Sequence, residues 1–176
     1  LRLSVLSALF IQILVAALLH ILTKVTNNGR KNMQSNEIIV AVDCLLITAD
    51  KKVVLIRRAT SPYVGMLALP GGKVESTDHT LVEACVREVG EELGICISPS
   101  ELRLLMVLDT PGRDPRSGLR ISIVFVAVLP DGMEFHPNPR EVCEVVLMPP
   151  SSIGKTDMAF DHYQAIHAVI QTQAAR

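Results

Sequence analysis

Tryptophan is absent from the 176 residues, and only two tyrosines and four phenylalanines accompany the aliphatic side chains. The core must therefore be built from Val, Ile, Leu, Ala and Met rather than from large aromatics. An excess of charge is also missing. The formal net charge is −1 and no long run of lysine or arginine occurs, which excludes the basic footprint that grips a nucleic-acid polymer. Cysteine is sparse: Cys44, Cys85, Cys96 and Cys143 are scattered, with no C-x-x-C pair. Such spacing excludes a disulfide-stapled secreted domain and predicts reduced, mostly buried thiols in a cytosolic fold. Internal repeats and low-complexity tracts are lacking too. The length suits one domain with a proper core plus appendages.

The one long hydrophobic run is at the N-terminus. Leu3 to Leu22 is broken only by Ser4, Ser7, Gln12 and His20, about the length a helix needs to cross a bilayer. Lys24, Arg30 and Lys31 follow it and only Arg2 precedes it, so the positive-inside rule leaves the rest of the chain in the cytoplasm. Three readings of this apolar segment stay open: a membrane anchor, a helix packed on the domain or in a homodimer seam, or residues upstream of a natural start at Met33. No small-x-small cleavage site follows it. With its polar linker it forms one unit, residues 1–36, and residues 37–176 form the other.

From Glu37 onward the pattern is mixed α/β. Ile38–Ile47 and Val53–Ile56 read as strands joined by a turn at Asp50-Lys51-Lys52, an antiparallel pair. Leu67-Ala68-Leu69 leads into Pro70-Gly71-Gly72. Further strands are predicted at Leu102–Leu108, Ile121–Leu129 and Val142–Met148, with a closing helix at Asp161–Gln173. The clearest helix is Thr80–Leu93, where Val82, Val86, Val89 and Leu93 form one apolar stripe and Gly94 supplies the stop.

The chemistry sits on that helix. Glu88, Glu91 and Glu92 stand at i, i+3 and i+4, on one face roughly opposite the valine stripe. Crowded carboxylates repel unless something positive neutralises them, although a solvated acidic face would read the same way. The upstream Gly71-Gly72 tips the balance. It turns the chain toward the helix, where a main-chain carbonyl can join the carboxylates around a hard cation such as Mg²⁺ or Mn²⁺.

The stretch from Gly71-Gly72-Lys73-Val74-Glu75 to Arg87-Glu88-Val89-Gly90-Glu91-Glu92-Leu93-Gly94-Ile95 resembles the Nudix box, G-x5-E-x7-R-E-U-x-E-E-x-G-U with U aliphatic. Its second half matches at every defined position. In the first half the interval from Gly72 to Arg87 is one residue longer, and Asp78 or His79 falls where a Glu is usual. That Glu braces the box arginine in the family, and Glu83, one turn before Arg87, is an alternative brace here. The resemblance implies a Nudix-type α/β/α sandwich, α+β, with a mixed sheet. It also implies Glu88, Glu91 and Glu92 as ligands of Mg²⁺ or Mn²⁺, with the Gly72 carbonyl as a further ligand and Arg87 orienting the glutamates.

Outside the box, Thr110-Pro111-Gly112-Arg113-Asp114-Pro115-Arg116 resembles a loop of bacterial Nudix proteins that act on ADP-ribose or related metabolites. Met158-Ala159-Phe160-Asp161-His162 resembles a segment of the same group. The implied substrate is a small nucleotide, ADP-ribose, cleaved to AMP and ribose 5-phosphate. Arg113 and Arg116 offer planar forks for phosphate oxygens, or pair with Asp114 and face solvent. Arg57 is a further substrate candidate, and Phe160 could stack on a base or join the core. Glu141 follows a proline-containing loop and is the first choice of general base over Glu134, Glu144, His136 and His162. Two other functions are consistent with the resemblance: house-cleaning of nucleoside triphosphates, or nucleotide sensing without turnover. Sensing relatives generally carry a winged helix after this domain, for which the chain leaves no room, and the intact glutamates favour catalysis.

Overall fold

A computed structural model describes residues 37–174; the apolar run at residues 3–22, and every reading of it, lies outside them. Seven strands and two α-helices follow in the order β1 (Ile38–Ile47), β2 (Val53–Arg58), β3 (Leu67–Ala68), β4 (Gly71–Lys73), α1 (Leu81–Leu93), β5 (Arg103–Leu108), β6 (Leu119–Val128), β7 (Val142–Met148) and α2 (Tyr163–Ala174). The five longer strands and both helices lie within a few residues of where the sequence puts them, whereas Gly71–Lys73, expected as a turn, is a short strand paired with β1. No helix among the described residues is long and apolar enough to cross a membrane.

The sheet is mixed. Its order is β3-β2-β1-β6-β5, with β4 paired to β1 and β7 to β2. β1 runs parallel to β6 along its whole length, Ile38 opposite Leu119 through Ile47 opposite Val128. Its other edge is shared by two antiparallel partners. β2 takes Leu46 and Ile47, and β4 takes Ala41, Val42 and Asp43. This split leaves β1 as the spine on which the Gly71-Gly72 turn is mounted.

Both faces of the spine are covered, which is why β1 reads as a nearly continuous apolar run rather than as an alternating one. Val42, Cys44 and Leu46 point to one core, shared with Ala84, Cys85, Val89 and Leu93 of α1. Leu45 points to the other, shared with Leu55, Leu69, Val124, Ala165 and Ile166. The strand's two-residue period thus puts one helix on each side of the sheet, giving the α/β/α sandwich.

Local signals set the ends of α1. Thr80 is the N-cap, its hydroxyl accepting from the Glu83 amide at 3.1 Å. Gly94 ends the helix in the left-handed region at φ 67°. A Cβ there would also come within 2.5 Å of the His136 carbonyl oxygen, so glycine is required twice over. The following segment docks on the helix end: His136 donates to the Leu93 carbonyl at 2.8 Å and Asn138 to that of Glu92 at 3.1 Å. Those bonds satisfy carbonyls that a helix C-terminus leaves orphaned, and they carry Glu141 toward the helix.

Two expectations need correction. The buried face of α1 is not the valine stripe alone but Ala84, Cys85, Glu88, Val89, Glu92 and Leu93. Two of the three glutamates are therefore inside, because β4 and its turn pack over that side. The thiols are also not mostly buried. Cys44 and Cys85 are, whereas Cys96 and Cys143 are exposed, and all four are free.

Candidate active site

Glu88 and Glu92 are 8% and 5% exposed, on a helix face that the turn between β3 and β4 closes. The Gly71 amide donates to Glu92 Oε2 at 2.8 Å. A Cβ on Gly72 would lie 2.4 Å from Glu88 Oε2, so only glycine lets the backbone come this near to the carboxylate. Burial raises the Glu92 pKa to about 8, with the Glu88, Asp43 and Glu141 charges adding to the rise and the Gly71 hydrogen bond opposing it. Burial likewise raises that of Glu88, against the Arg87 guanidinium. Two desolvated carboxylates side by side are a place where a cation is electrostatically favoured.

Arg87 binds this cluster together. Its Nη1 donates to Glu88 Oε1 at 2.9 Å and to Glu91 Oε2 at 3.1 Å. Its Nε and Nη2 donate to Asp78 Oδ1 and Oδ2, both at 2.9 Å, and Nη2 reaches the Lys73 carbonyl at 3.1 Å. Those hydrogen bonds pull the Asp78 pKa down to about 2. The brace is thus Asp78, one of the two residues that fall at the variant position. Glu83 is spent on the His79 amide instead, at 3.0 Å. An aspartate one carbon shorter than the usual Glu still reaches Arg87, across the enlarged interval.

A cavity of about 360 Å³ opens beside these carboxylates, and its walls include Gly72, Glu88, Glu92, Glu141, Arg113, Arg116 and Phe160. Sequence reasoning had named all seven. Among the three candidate glutamates for a base, Glu141 alone lines it. Glu144 instead holds Arg57 at 3.0 Å. Glu91, named with Glu88 and Glu92 from sequence, does not line the cavity; its side chain is 53% exposed and tied to Arg87.

Strand alternation decides between the neighbours Arg57 and Arg58. Arg57, the candidate named from sequence, donates to Glu144 and to the Gly65 carbonyl at 2.9 Å and is not among the cavity-lining residues. Arg58 lines the cavity. Its guanidinium lies 5.1 Å from the Phe160 ring centroid, and that of Arg116 lies 5.6 Å away. With Tyr63 edge-on at 5.0 Å, Phe160 is already packed among cationic and aromatic neighbours. Its ring is a support for the arginines.

The other loop arginines are anchored. Arg113 Nε donates to both Asp161 oxygens, at 2.9 and 3.1 Å. Its Nη2 is 2.6 Å from Asp161 Oδ1 but poorly aligned, and makes no hydrogen bond among the described residues. Arg116 grips Asp114, with Nη2 to Oδ2 at 2.6 Å. Arg120 and Asp43 also line the cavity, and neither was singled out from sequence. A lone acid in the apolar run Ile38–Ile47 was the signal for Asp43. Arg120 left none, since charged residues on strands are ordinarily solvated.

Among the described residues no three acidic, histidine or cysteine side chains converge tightly enough to enclose a metal by themselves. The donor set nevertheless suits Mg²⁺ or Mn²⁺, which bind through one or two carboxylates and complete their shell with water and phosphate oxygens. Glu88 and Glu92 are such a pair, and the Gly72 backbone lies close against Glu88.

Mixed sheet, flanking helices and a carboxylate-bearing helix facing a glycine turn define a class of nucleotide-processing domain. A family model described as the NUDIX domain matches residues 37–169, and the chain belongs to that family. It is 49% identical over 87 residues to a protein named ADP-ribose pyrophosphatase from Methanocaldococcus jannaschii, a match covering 49% of this chain and 48% of that one. The chain spans about half the length of the curated relatives it matches; a Nudix hydrolase named NudL from Pectobacterium atrosepticum is 37% identical, with 49% and 43% covered. A bifunctional NMN adenylyltransferase/ADP ribose pyrophosphatase from Francisella tularensis, solved with AMP and a Mn ion, superposes with a TM-score of 0.68. It is 27% identical, with 85% of this chain and 46% of that one covered. The NUDIX domain of Shewanella oneidensis NrtR, solved with ADP ribose, shares the fold at a TM-score of 0.69 and 24% identity, over 78% of this chain and 89% of that one.

Proposed function

We propose that the domain hydrolyses the phosphoric anhydride bond of a nucleoside diphosphate linked to another group, with ADP-ribose as substrate and AMP and ribose 5-phosphate as products. One observation carries this reading: a single cavity holds a buried carboxylate pair, Glu88 and Glu92, together with four arginines, Arg58, Arg113, Arg116 and Arg120. A diphosphate calls for both, a cation held by carboxylates and forked side chains for its remaining oxygens. The names of the Methanocaldococcus and Francisella relatives support the choice of ADP-ribose.

Glu88, Glu92 and the Gly72 carbonyl would hold Mg²⁺ or Mn²⁺, and Glu91 would join them by turning from its exposed position beside Arg87. Such an ion, when bound, neutralises charge on the leaving phosphate and lowers the pKa of the attacking water. Arg87 is a positioning residue, fixing Glu88 and Glu91 through its Asp78 brace. Glu141 takes the proton from water as its oxygen bonds to one phosphorus and the bridging oxygen departs with the other. Arg58, Arg113 and Arg116 orient the diphosphate, and Phe160 backs Arg58 and Arg116. The whole set lies within the domain of residues 37–176.

A panel of ADP-ribose, NADH, diadenosine polyphosphates and nucleoside triphosphates, assayed with Mg²⁺ and with Mn²⁺, tests the proposal. AMP plus ribose 5-phosphate from ADP-ribose is the expected outcome. Pyrophosphate released from a triphosphate would point to house-cleaning, and tight binding without turnover to sensing. Glu92→Gln and Glu91→Gln should each lower turnover by orders of magnitude while circular dichroism stays unchanged. Near-normal activity in either would remove the metal assignment.

A further inference from the structure

Asp43 is a carboxylate on the inward side of β1, 5% exposed and yet part of the cavity wall. One of its oxygens is fully employed. Ser122 Oγ donates to Oδ2, and His162 Nε2 stands 3.3 Å from the same atom. The Leu69 amide donates to His162 Nδ1 at 3.1 Å, so that nitrogen is an acceptor and the ring proton sits on Nε2, facing Asp43. Burial alone would raise the Asp43 pKa, but His162, the Ser122 hydrogen bond and, more distantly, Arg113 outweigh it and hold the group below its ordinary value. Asp43 is therefore an ionised carboxylate, locked in one rotamer.

Its second oxygen is bare. Oδ1 accepts no hydrogen bond from the described residues and lies beside Gly71, where a Cβ would approach it to 2.7 Å. Gly71 lines the same cavity, and its amide is the one bound to Glu92. Oδ1 is thus an acceptor open to the cavity, aimed there by the Ser122 and His162 contacts to Oδ2. Nearby, Arg113 Nη2 and Arg120 Nε are buried donors with no acceptor among the described residues.

We infer that Asp43 is a specificity-determining residue that accepts a hydrogen bond from a sugar hydroxyl adjoining the diphosphate. This rests on the cavity being the nucleotide site proposed above. A phosphate is repelled by a second anion, whereas a vicinal diol donates to Asp43 Oδ1 and can accept from an arginine that shifts toward it. Proximity narrows the donor further. Asp43 Oδ1 and Glu92 adjoin the same residue, Gly71, which favours a donor on the group bonded directly to a phosphate. A base is one sugar farther away. Either the nucleoside ribose or the distal ribose has the required chemistry.

The test is calorimetric titration of the full chain in excess EDTA, so that no metal role enters. The ligands are ADP-ribose and two analogues, each with the vicinal diol of one ribose replaced by hydrogens. The wild type should bind one analogue roughly 10- to 100-fold more weakly, the scale of a hydrogen bond to a charged group, and the analogue affected identifies which ribose is read. Asp43→Asn should bind ADP-ribose as weakly as the wild type binds that analogue, and lose nothing more when the diol is removed. Ser122→Ala, which leaves Oδ1 in place, should keep the discrimination. Indifference of the wild type to both diols overturns the inference without need of any variant. So does discrimination that survives in Asp43→Asn, a defect of that variant seen only with Mg²⁺, or failure of the wild type to bind ADP-ribose at all. Discriminating binding in EDTA without hydrolysis in Mg²⁺ or Mn²⁺ would remove the hydrolase reading alone.

Discussion

Adjacent arginines at the end of β2 show how far a single backbone step separates two fates. Arg57 is spread over Glu144 and the Gly65 carbonyl, while Arg58 faces the cavity with its Nε on the Pro62 carbonyl at 2.9 Å. The pair makes a controlled comparison, since charge and length are identical and only the surroundings differ, exposed at Arg57 and part-buried at Arg58. Arg58→Ala should lower kcat/KM for the substrate by about 1–3 kcal/mol in transition-state stabilisation, the scale of a lost charge-assisted hydrogen bond. Arg57→Ala should cost less than half as much, because exposed ion pairs contribute little. Equal effects on kcat/KM in parallel assays would return Arg57 to the substrate site. Arg116 and Arg113 each hold a carboxylate as well as lining the cavity. Arg116, half exposed, grips Asp114 and lies against the Phe160 ring, and its removal leaves Asp114, 4% exposed, with Arg120 at 3.7 Å. Arg113, itself 5% exposed, is anchored on Asp161 and leaves that carboxylate, 14% exposed, behind when truncated.

At the scale of elements, α1 does two jobs with one surface. Its apolar residues fill the core against β1, and in the same turn of helix Glu88 and Glu92 enter the cavity. Such a helix tolerates little rotation, so its ends are fixed by capping. Thr80→Ala removes the hydroxyl that accepts from the Glu83 amide, and should destabilise the fold by about 1 kcal/mol. Gly94→Ala meets both a positive φ and the His136 carbonyl, and should cost more than the Thr80 change, by a kcal/mol or so. Urea unfolding at pH 7 measures both. A Gly94→Ala variant as stable as the wild type would mean that the segment from His136 to Glu141 is free to move away from the helix end.

For the whole molecule, the carboxylates of the site set a pH signature. The Glu92 pKa is raised to about 8 from an ordinary 4.5, so between those values the unfolded chain has released a proton that the folded one retains. Stability therefore falls as pH rises through this window, and levels off above about 8. Glu88 acts in the same direction. Asp43, Asp78 and Asp114 are shifted downward and act below pH 4, outside the window. A cation bound by the ionised carboxylates of the folded state reverses the loss, so Mg²⁺ or Mn²⁺ should raise Tm more at pH 8 than at pH 5. Melting curves at both pH values, with metal or with EDTA, decide the matter. A metal increment independent of pH, or one unchanged in Glu92→Gln, would speak against these ligands.

The five longer strands and both helices were legible because each carries its own signal: the turn at Asp50, the apolar runs, the valine stripe, the cap at Gly94. The short strand at Gly71 was not, since a Gly-Gly pair reads as a turn and only its pairing with β1 makes it a strand. So was the set Arg87, Glu88, Glu91 and Glu92, because helical spacing alone puts carboxylates side by side. What sequence could not decide was which of these charges face water, since that depends on what packs over them. β4 and its glycine turn bury Glu88 and Glu92 and leave Glu91 exposed. The brace of Arg87 was open between several residues, and the loop path gave it to Asp78. Asp43 and Arg120 became part of the site only through the pairing of β1 with β4 and β6, which joins residues 43, 71 and 120 in one cavity wall. Sequence fixes what is local in the chain, periodicity, caps and spacing within a helix. Burial, and with it the charge state and partners of a side chain, is a property of distant segments meeting, and only the tertiary structure holds it.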